Sequence, residues 1–257
     1  MSAPPRVAIS TGASSGIGAA LARQLVQAGY RVGLIARRLD RLEALKKELG
    51  EQAVLAQADV GVRSEIVGAI RSLADQLGPV DLLVANAGVG HRVRLTPLNV
   101  EQIEQVIRVN LLGVIYSLEP VLQEMVKRGS GHIAAVSSVA AFKGMPAESA
   151  YCASKAGLCA FMEGLRLQLH GSGVSVTTIN PGFVKSEMTA GHRFHMPFLL
   201  ETDEAARRIC RALERKTKEF SFPWQTAMLM RLARWLPDWL VVRLMPKQPD
   251  DQIFIGK

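Results

Sequence analysis

The sequence predicts a single-domain α/β fold, a doubly wound parallel sheet of about seven strands with helices on both faces. Short apolar runs rich in β-branched residues alternate with helix-periodic segments along the whole chain. A glycine-rich turn follows the first of these runs directly and precedes the first helical pattern. The 257 residues suffice for one large core, and neither a linker nor a low-complexity segment divides them.

The expected boundaries follow from where each periodicity begins and ends. We expect strands near residues 6–10, 31–36, 53–58, 81–86, 131–138, 174–180 and 219–222. We expect helices near residues 16–28, 38–49, 63–77, 99–127, 148–171 and 203–217. In such a sheet, connected by right-handed crossovers, the ligand crevice lies at the carboxyl ends of the strands. Side chains that directly follow a strand are therefore the candidates for a functional site.

The first candidate is the turn from Thr11 to Gly18, between the first strand and the first helix. Its glycines stand where a turn tightens, a backbone approaches a phosphate and a helix packs against a strand. Bare amides and a helix N-terminus would face a pyrophosphate there. The spacing Gly-x-x-x-Gly-x-Gly differs from Gly-x-Gly-x-x-Gly, but the strand-turn-helix context supports dinucleotide binding. The cofactor-binding candidates of this turn are Gly12, Ser14, Ser15, Gly16, Ile17 and Gly18.

The ends of the second and third strands bear on the choice of cofactor. An NAD-binding unit usually carries a carboxylate about twenty residues after the glycines, to hold the ribose 2′-hydroxyl. Ala36 takes that place, and Arg37 and Arg38 follow it. Because a guanidinium suits a phosphate, we predict NADP(H), although a solvated arginine pair at a helix start is the alternative. After the third strand come Asp59 and Val60, of which Asp59 either accepts from the adenine amino group or caps a helix.

Two further candidates follow the fourth strand. Asn86, Ala87 and Gly88 form a second small-residue turn at the same sheet edge, which leaves room for a cofactor ribose. Asn110 lies in an otherwise apolar stretch of the long helix. A buried amide must be satisfied, so Asn110 bonds a backbone group or orders a water, and alone it favours the structural role.

The segment from Ser138 to Lys155 carries the candidate chemistry. Tyr151 and Lys155 are four residues apart in a proline-free helical run, so their side chains share one helix face. A positive charge at ~5 Å and an effective dielectric of ~20 would lower a tyrosine pKa of ~10 by about two units. Ser138 ends an apolar run, which places its hydroxyl at the carboxyl edge of the sheet. Alone, a Tyr-x-x-x-Lys pattern more often indicates core packing with a lysine that reaches solvent.

Together these motifs resemble the short-chain dehydrogenase/reductase family, which has a Rossmann-type fold, over residues 6–222. The motifs that carry the resemblance are Thr11 to Gly18, Asn86-Ala87-Gly88, Asn110, Ser138, Tyr151, Lys155 and Pro181-Gly182. The resemblance implies that Tyr151 is the catalytic acid and base, and that Ser138 orients the carbonyl or alcohol. It implies that Lys155 lowers the pKa of Tyr151 and binds the nicotinamide ribose, and that Tyr151 also contacts the cofactor. It also makes Asn110 the holder of a proton-relay water.

The same resemblance covers the segment after the sixth strand and the quaternary structure. The segment looks like the one that contacts nicotinamide in the family, with Val184 near the carboxamide and Ser186 where threonine is more usual. Its cofactor-binding candidates are Pro181, Gly182, Val184 and Ser186. The family also implies a homodimer or homotetramer, built on the long helices near 99–127 and 148–171.

Residues 187–202 correspond to the variable substrate lid of the family. Several of their side chains favour an apolar guest, lipid-like or steroid-like, over a sugar: Met188, Phe194, Met196, Phe198 and Leu199. His192 and His195 are three residues apart without a nearby carboxylate cluster, so we predict ordinary loop histidines and no metal site.

Residues 223–257 form a C-terminal amphipathic extension of the domain that residues 1–222 build. Residues 224–245 contain all three tryptophans of the chain. Their arginines interrupt the apolar residues too often for a membrane-spanning helix, and Pro237 divides the run into two short helices. Two alternatives stay open: the extension packs on its own subunit or on a partner, or it rests on an anionic membrane surface.

The composition limits which kinds of molecule the protein is expected to bind and where in the cell we expect it. The net charge is +8, but lysines and arginines are scattered, so nucleic acid is the weakest explanation and an anionic cofactor or membrane surface fits better. Three cysteines without ligand spacing indicate neither a disulfide framework nor a zinc site. With no apolar targeting segment at the N-terminus, we expect a cytoplasmic protein, peripheral to a membrane if residues 224–245 bind one.

The sequence therefore predicts NADPH-dependent, reversible reduction of a small-molecule ketone or aldehyde to an alcohol. A serine hydrolase is one alternative, because Gly12 to Gly16 also fits the Gly-x-Ser-x-Gly elbow with Ser14 as nucleophile. Only one strand precedes this turn, however, so no upstream loop can supply the oxyanion amide. A catalytically silent NADPH-binding or scaffold protein is the other alternative, and the complete Asn, Ser, Tyr and Lys set argues against it.

Overall fold

The computed structural model describes residues 5–190 and 196–244. Its strands are β1 (Arg6–Thr11), β2 (Tyr30–Ala36), β3 (Ala53–Gln57), β4 (Leu82–Ala85), β5 (Gly131–Val136), β6 (Val174–Pro181) and β7 (Glu219–Phe222). Its first helices are α1 (Gly16–Gln27), α2 (Leu39–Leu49), α3 (Arg63–Leu77), α4 (Val100–Ile107) and α5 (Gly113–Arg128). The later helices are α6 (Ser149–Gln168), α7 (Glu187–Ala190), α8 (Thr202–Glu214), α9 (Trp224–Ala233) and α10 (Asp238–Leu244).

The strands form one sheet in the order β3-β2-β1-β4-β5-β6-β7, and all six pairings are parallel. The predicted fold class is therefore confirmed. The chain winds outward in one direction from β1 to β3 and in the other from β4 to β7, so the order reverses between β1 and β4. A doubly wound sheet opens its ligand crevice at this reversal, beside the carboxyl ends of the strands.

The sheet is buried on both faces, which explains why its strands are continuous apolar runs. Successive residues of a strand point to opposite faces, so each central strand contributes to two cores. One core lies under α3, α5 and α6, and it includes Ile9, Leu83 and Ile133. The other lies under α1, α2 and α8, and it includes Ala8, Leu82 and Ala134.

The long helix near 99–127 is where the structure departs most from the periodicity. It consists of α4, a π-helical turn over Arg108–Leu112, and α5. The amide of Gly113 donates to the carbonyl of Arg108, five residues back, which is the π pattern. Asn110 lies at the centre of this turn. Among the described residues, Val100–Arg128 is also the one stretch long and apolar enough to cross a membrane, but buried side chains such as Val114 and Leu118 fix it in the core.

The end of β5 also differs from the expected strand 131–138. The strand ends at Val136, and Ser138 begins a 3₁₀ turn over Val139–Phe142. The hydroxyl of Ser138 accepts a hydrogen bond from the amide of Ala140 at 3.1 Å. Ser138 therefore lies just beyond the strand, still at the carboxyl edge that the sequence predicts.

The extension after β7 consists of α9 and α10, separated near Pro237 as predicted. The inner side of α9 packs at the sheet edge, because Thr226 and Ala227 are buried. Arg231 pairs with Glu219 at 2.8 Å, and its guanidinium lies 4.7 Å from the ring centroid of Phe142. The predictions for Phe194, His192, His195 and residues 245–257 lie outside the described residues.

Candidate functional site

The glycine turn and the Asn86 turn form a tight cradle at the point where the strand order reverses. Gly12 has φ +68° and Gly16 has φ +53°, which glycine adopts at little cost. A Cβ on Gly12 would lie 2.8 Å from the Cα of Ala87, and one on Gly18 would lie 2.2 Å from the carbonyl oxygen of Gly12. These positions tolerate no side chain. The Asn86 amide nitrogen donates to the carbonyl oxygens of Thr11 at 3.1 Å and Gly12 at 3.4 Å, which ties the two turns together.

The cradle fits the phosphates of a dinucleotide, because the start of α1 lacks a side-chain cap. Ser15 is the N-cap residue, but its side chain makes no capping hydrogen bond. Its hydroxyl instead accepts from Nη2 of Arg38 at 2.7 Å. The first amides of α1 therefore keep their donor capacity, and the helix dipole adds a partial positive charge there. Backbone donors at a helix N-terminus are what a pyrophosphate requires.

The arginines after β2 lie at one side of this cradle. Arg38 donates from Nε and Nη2 to the hydroxyl of Ser14 at 3.3 and 3.2 Å. Arg37 pairs with Asp59 at 3.8 Å. Because Val62 is the N-cap of α3, the alternative that Asp59 caps this helix is wrong, and Asp59 instead accepts from the amide of Gly61 at 2.8 Å.

Val60, the other candidate after β3, is buried. A Cβ on Gly113, at the start of α5, would lie 3.0 Å from Cγ2 of Val60. The Val60 side chain therefore fills the space that Gly113 leaves open. Val60 therefore has a packing role: it connects the segment after β3 to the residue that follows the π-helical turn.

The amide of Asn110 is fully buried and engaged on both of its polar atoms. Its oxygen accepts from the amide of Val89 at 2.9 Å, while its nitrogen donates to the carbonyl of Val89 at 2.9 Å and to the hydroxyl of Ser154 at 3.0 Å. The expectation that it bonds a backbone group is confirmed. Asn110 thereby fastens the loop after β4 to the helix that carries Tyr151. Its part in a water relay stays a prediction.

The structure brings Ser138, Tyr151 and Lys155 together at the carboxyl edge. Lys155 is buried with 3% exposure, and its Nζ donates to the carbonyl of Val136 at 2.9 Å. The same Nζ lies 5.7 Å from the ring centroid of Tyr151. A Cβ on Gly88 would lie 3.6 Å from this Nζ, so the ammonium faces the small-residue turn. The glycine cradle and the Tyr-Lys pair therefore border the same crevice.

The pKa values of Tyr151 and Lys155 differ from those that the sequence predicts. Burial raises the pKa of Tyr151 to about 12, and a hydrogen bond with Ser138 opposes this rise. Burial also lowers the pKa of Lys155 to about 8. The net pKa of Tyr151 is therefore raised, where the sequence predicts a lowered one, and the part that Lys155 plays in this pKa stays a prediction. Both shifts arise because desolvation disfavours the charged forms, the phenolate and the ammonium.

The segment from Pro181 to Ser186, at the end of β6 and after it, contacts both Ser138 and the glycine turn. The Pro181 carbonyl accepts from the hydroxyl of Ser138 at 3.4 Å, and Val184 is buried and pairs with Leu200. A Cβ on Gly16 would lie 3.4 Å from Cβ of Ser186, so this segment lies directly over the glycine turn. A Cβ on Gly182 would lie 3.2 Å from Pro223, at the start of the extension.

Two charged residues of the site escaped the sequence analysis. The Glu187 carboxylate accepts from Arg38 at 2.8 Å and from Arg41 through its second oxygen. Arg41 lies one helical turn after Arg38, a spacing that could have been noticed. Glu187 is far away in sequence, and only the fold brings it to these arginines. Residues 5–190 and 196–244 contain no group of three metal-ligating side chains that could hold an ion.

Comparisons with known proteins agree with this geometry. Residues 6–196 match the family model described as short chain dehydrogenase. An uncharacterized oxidoreductase of Myxococcus xanthus is 44% identical over 236 residues, 91% of this chain and 93% of that protein. The alcohol dehydrogenase of Thermococcus sibiricus, solved with 5-hydroxy-NADP, superposes with a TM-score of 0.75 at 31% identity, covering 84% of this chain and 95% of that one. A short-chain dehydrogenase of Streptomyces avermitilis shares the fold, with a TM-score of 0.81 at 24% identity and coverages of 93% and 95%.

Proposed function

The chain belongs to the short-chain dehydrogenase family, NAD(P)-dependent oxidoreductases of alcohol and carbonyl groups, and from this premise we propose that it reduces a ketone or aldehyde with NADPH. The reverse oxidation uses the same groups. The observation that carries the proposal is the meeting of Ser138, Tyr151 and Lys155 at the sheet edge that also holds the glycine cradle.

The roles of the side chains follow from their positions. The chemistry that a nicotinamide cofactor would supply, when held in this crevice, is the gain or loss of hydride at the carbon that bears the oxygen. Tyr151 donates its phenolic proton to the oxygen, so that hydride and proton together complete the alcohol. Ser138, which already interacts with the phenol, donates a hydrogen bond to the same oxygen. Lys155 binds the nicotinamide ribose with the N–H groups that Val136 does not use.

We propose that Asn110 is a positioning residue, which does not itself exchange a proton with the substrate. It holds the loop after β4 against Ser154, one turn from Tyr151, and we propose that it places the water that restores the proton. The remaining cofactor contacts are proposed at Gly12, Ser14, Ser15, Gly16, Ile17, Gly18, Arg37, Arg38, Asp59, Val60, Asn86, Ala87, Gly88, Pro181, Gly182, Val184 and Ser186.

A preference for NADPH is supported by charge at the end of β2. Position 36 is an alanine and not an acidic residue, and Arg38 donates hydrogen bonds to the hydroxyls of Ser14 and Ser15. The Thermococcus relative binds an NADP derivative. Across a panel of aliphatic, aromatic and steroid-like carbonyls, we expect kcat/KM at least about tenfold higher with NADPH than with NADH. Equal or better use of NADH would contradict the preference, and binding without any turnover would favour a silent NADPH-binding protein.

The hydrolase alternative loses support from the environment of Ser14. Its hydroxyl accepts hydrogen bonds from Nε and Nη2 of Arg38. A nucleophilic serine instead donates its proton to a general base. We therefore retain the oxidoreductase as the function of this site.

An apolar small-molecule substrate and a homodimer or homotetramer complete the proposal. The lid side chains Met188, Phe198 and Leu199 are exposed, which supports an apolar guest. An open groove on α5 and α6 is lined by Tyr116, Leu122 and Phe161 with other apolar side chains and the Arg63–Glu119 ion pair. These are the helices through which the family is expected to assemble, so we propose a second copy of the chain as the occupant.

We further propose a cytoplasmic protein that touches anionic membranes through α9 and α10. The exposed fractions of Trp224, Trp235 and Trp239 are 65, 84 and 66%, and Arg234 and Arg243 lie among them. Indole rings beside basic side chains suit a membrane interface. Most of this apolar surface turns away from the domain, which weakens the alternative that it packs on its own subunit.

Flotation with vesicles of phosphatidylglycerol and phosphatidylcholine tests this contact. The full chain is expected to float with them, less so at high salt, because screening weakens the attraction of the arginines. The double variant Trp235→Ser/Trp239→Ser should remain in the soluble fraction. Leu167→Ser, which changes an exposed leucine on α6, serves as the matched control. Equal partitioning of the double variant and the wild type would contradict membrane contact.

A further inference from the structure

The two arginines beside the glycine turn, Arg38 and Arg41, form ion pairs with a carboxylate of the protein itself. One oxygen of the Glu187 carboxylate accepts from Arg38, and the other accepts from Arg41. These ion pairs hold the pKa of Glu187 below its usual range. Two guanidiniums on one carboxylate form a receptor for a planar or tetrahedral oxyanion.

This receptor is continuous with the cofactor cradle. While Nη1 of Arg38 holds Glu187, its Nε and Nη2 donate to the hydroxyls of Ser14 and Ser15. Ser186, the neighbour of Glu187, lies over Gly16. The carboxylate is therefore held at the end of β2, where a dinucleotide places the 2′ position of its adenosine ribose.

We propose that Arg38 and Arg41 together bind the 2′-phosphate of NADP(H), and that Glu187 is the internal anion that this phosphate displaces. The inference rests on the proposed use of NADPH. It adds Arg41 as the second cation of the phosphate site and Glu187 as a residue that sets cofactor specificity. Arg37 falls outside the receptor because it pairs with Asp59.

The energetics of the contact allow such an exchange. The side chains of Arg38, Arg41 and Glu187 are 40, 45 and 52% exposed, so solvent screens their ion pairs. Ion pairs of this kind are weak and easily broken. A phosphate monoester brings up to two negative charges and three acceptor oxygens, so it outcompetes a single carboxylate for the same donors. A ribose 2′-hydroxyl brings no charge and leaves Glu187 in place.

Equilibrium binding of NADPH and NADH to the full chain, measured by calorimetry, tests the inference. Arg41→Gln is expected to raise the Kd for NADPH about tenfold, while the Kd for NADH changes less than about twofold. Glu187→Gln is expected to lower the Kd for NADPH by about threefold or more, since the competitor of the phosphate is gone, and not to lower that for NADH, whose ribose 2′-hydroxyl can donate to a carboxylate. Arg37→Gln is expected to alter the two dissociation constants by the same factor.

The control and the outcomes separate this inference from the proposed function. Glu201→Gln changes an exposed carboxylate on the other end of the lid, which pairs with Lys185, and it should leave both constants unchanged. Thermal melts establish that each variant is folded. If the wild type prefers NADPH but Arg41→Gln and Glu187→Gln bind it as the wild type does, the receptor is wrong and the cofactor preference stands. If Glu187→Gln weakens NADPH binding, displacement is wrong. If the wild type binds both cofactors equally, the proposed preference itself fails.

Discussion

Replacing Tyr151 by phenylalanine is expected to lower kcat for carbonyl reduction by about a thousandfold, since a positioned general acid contributes ~10²–10⁴-fold. Phenylalanine keeps the ring on α6 and its packing, but it removes the proton and the interaction with Ser138. Binding of NADPH should stay within about twofold of the wild type, because the glycine cradle and Arg38 are untouched. Single-turnover kinetics with saturating NADPH measure the chemical step directly.

Tyr116→Phe is the matched control for this loss. Tyr116 lies on α5, in the groove that Leu122 and Phe161 also line, and neither Ser138 nor Lys155 lines that groove. The control should retain the full rate of hydride transfer. A Tyr151→Phe variant that keeps more than about a tenth of the wild-type rate would mean that another group supplies the proton.

Replacing Lys155 by methionine is expected to stabilise the fold while it abolishes efficient reduction. The lysine is 3% exposed, and burial lowers its pKa from 10.5 to about 8, which corresponds to a cost of about 3 kcal/mol for the charged form. Methionine fills similar space without a charge. The lost hydrogen bond to Val136 offsets about half of the gain, so we expect a net stabilisation of about 1–2 kcal/mol and a Tm higher by about 3 °C.

The pH dependence of this stabilisation has a definite sign. The folded pKa of Lys155, about 8, lies below the unfolded value of 10.5. Below pH 8 both states are protonated, and the wild type carries the full penalty. Between about 8 and 10.5 the unfolded state binds more protons, so the stability of the wild type rises with pH. The advantage of Lys155→Met should therefore be full at pH 7 and fade towards pH 10, as measured by denaturant unfolding. A variant that is less stable than the wild type at pH 7 would contradict the burial penalty.

The strands and most helices could be predicted because burial on both faces leaves a strong trace in the sequence. The strand near 53–58 and the helix near 63–77, for example, lie within a residue of β3 and α3. The π turn at Arg108–Leu112 could not be predicted. It inserts its extra residue without a proline or glycine inside it, and the apolar pattern continues through it.

The site residues that directly follow a strand or lie on one helix could be predicted from the sequence. The contacts between residues that are far apart in the sequence could not. Spacing alone placed Tyr151 and Lys155 on one face of α6. Spacing does not report burial, so the sequence predicts a lowered pKa for Tyr151 where burial raises it. The pairing of Glu187 with Arg38 and Arg41 joins α7 to α2, and no local pattern links them.

In the proposed reaction, the Tyr151 proton moves to the carbonyl oxygen as hydride arrives at the carbon. The most direct measurement is the solvent deuterium isotope effect on single-turnover reduction, taken with NADPH and with NADPH deuterated at the transferred position. We expect both isotope effects to exceed unity, and the solvent effect to persist with the deuterated cofactor, because both transfers share one step. A solvent effect of unity beside a clear hydride effect would contradict it.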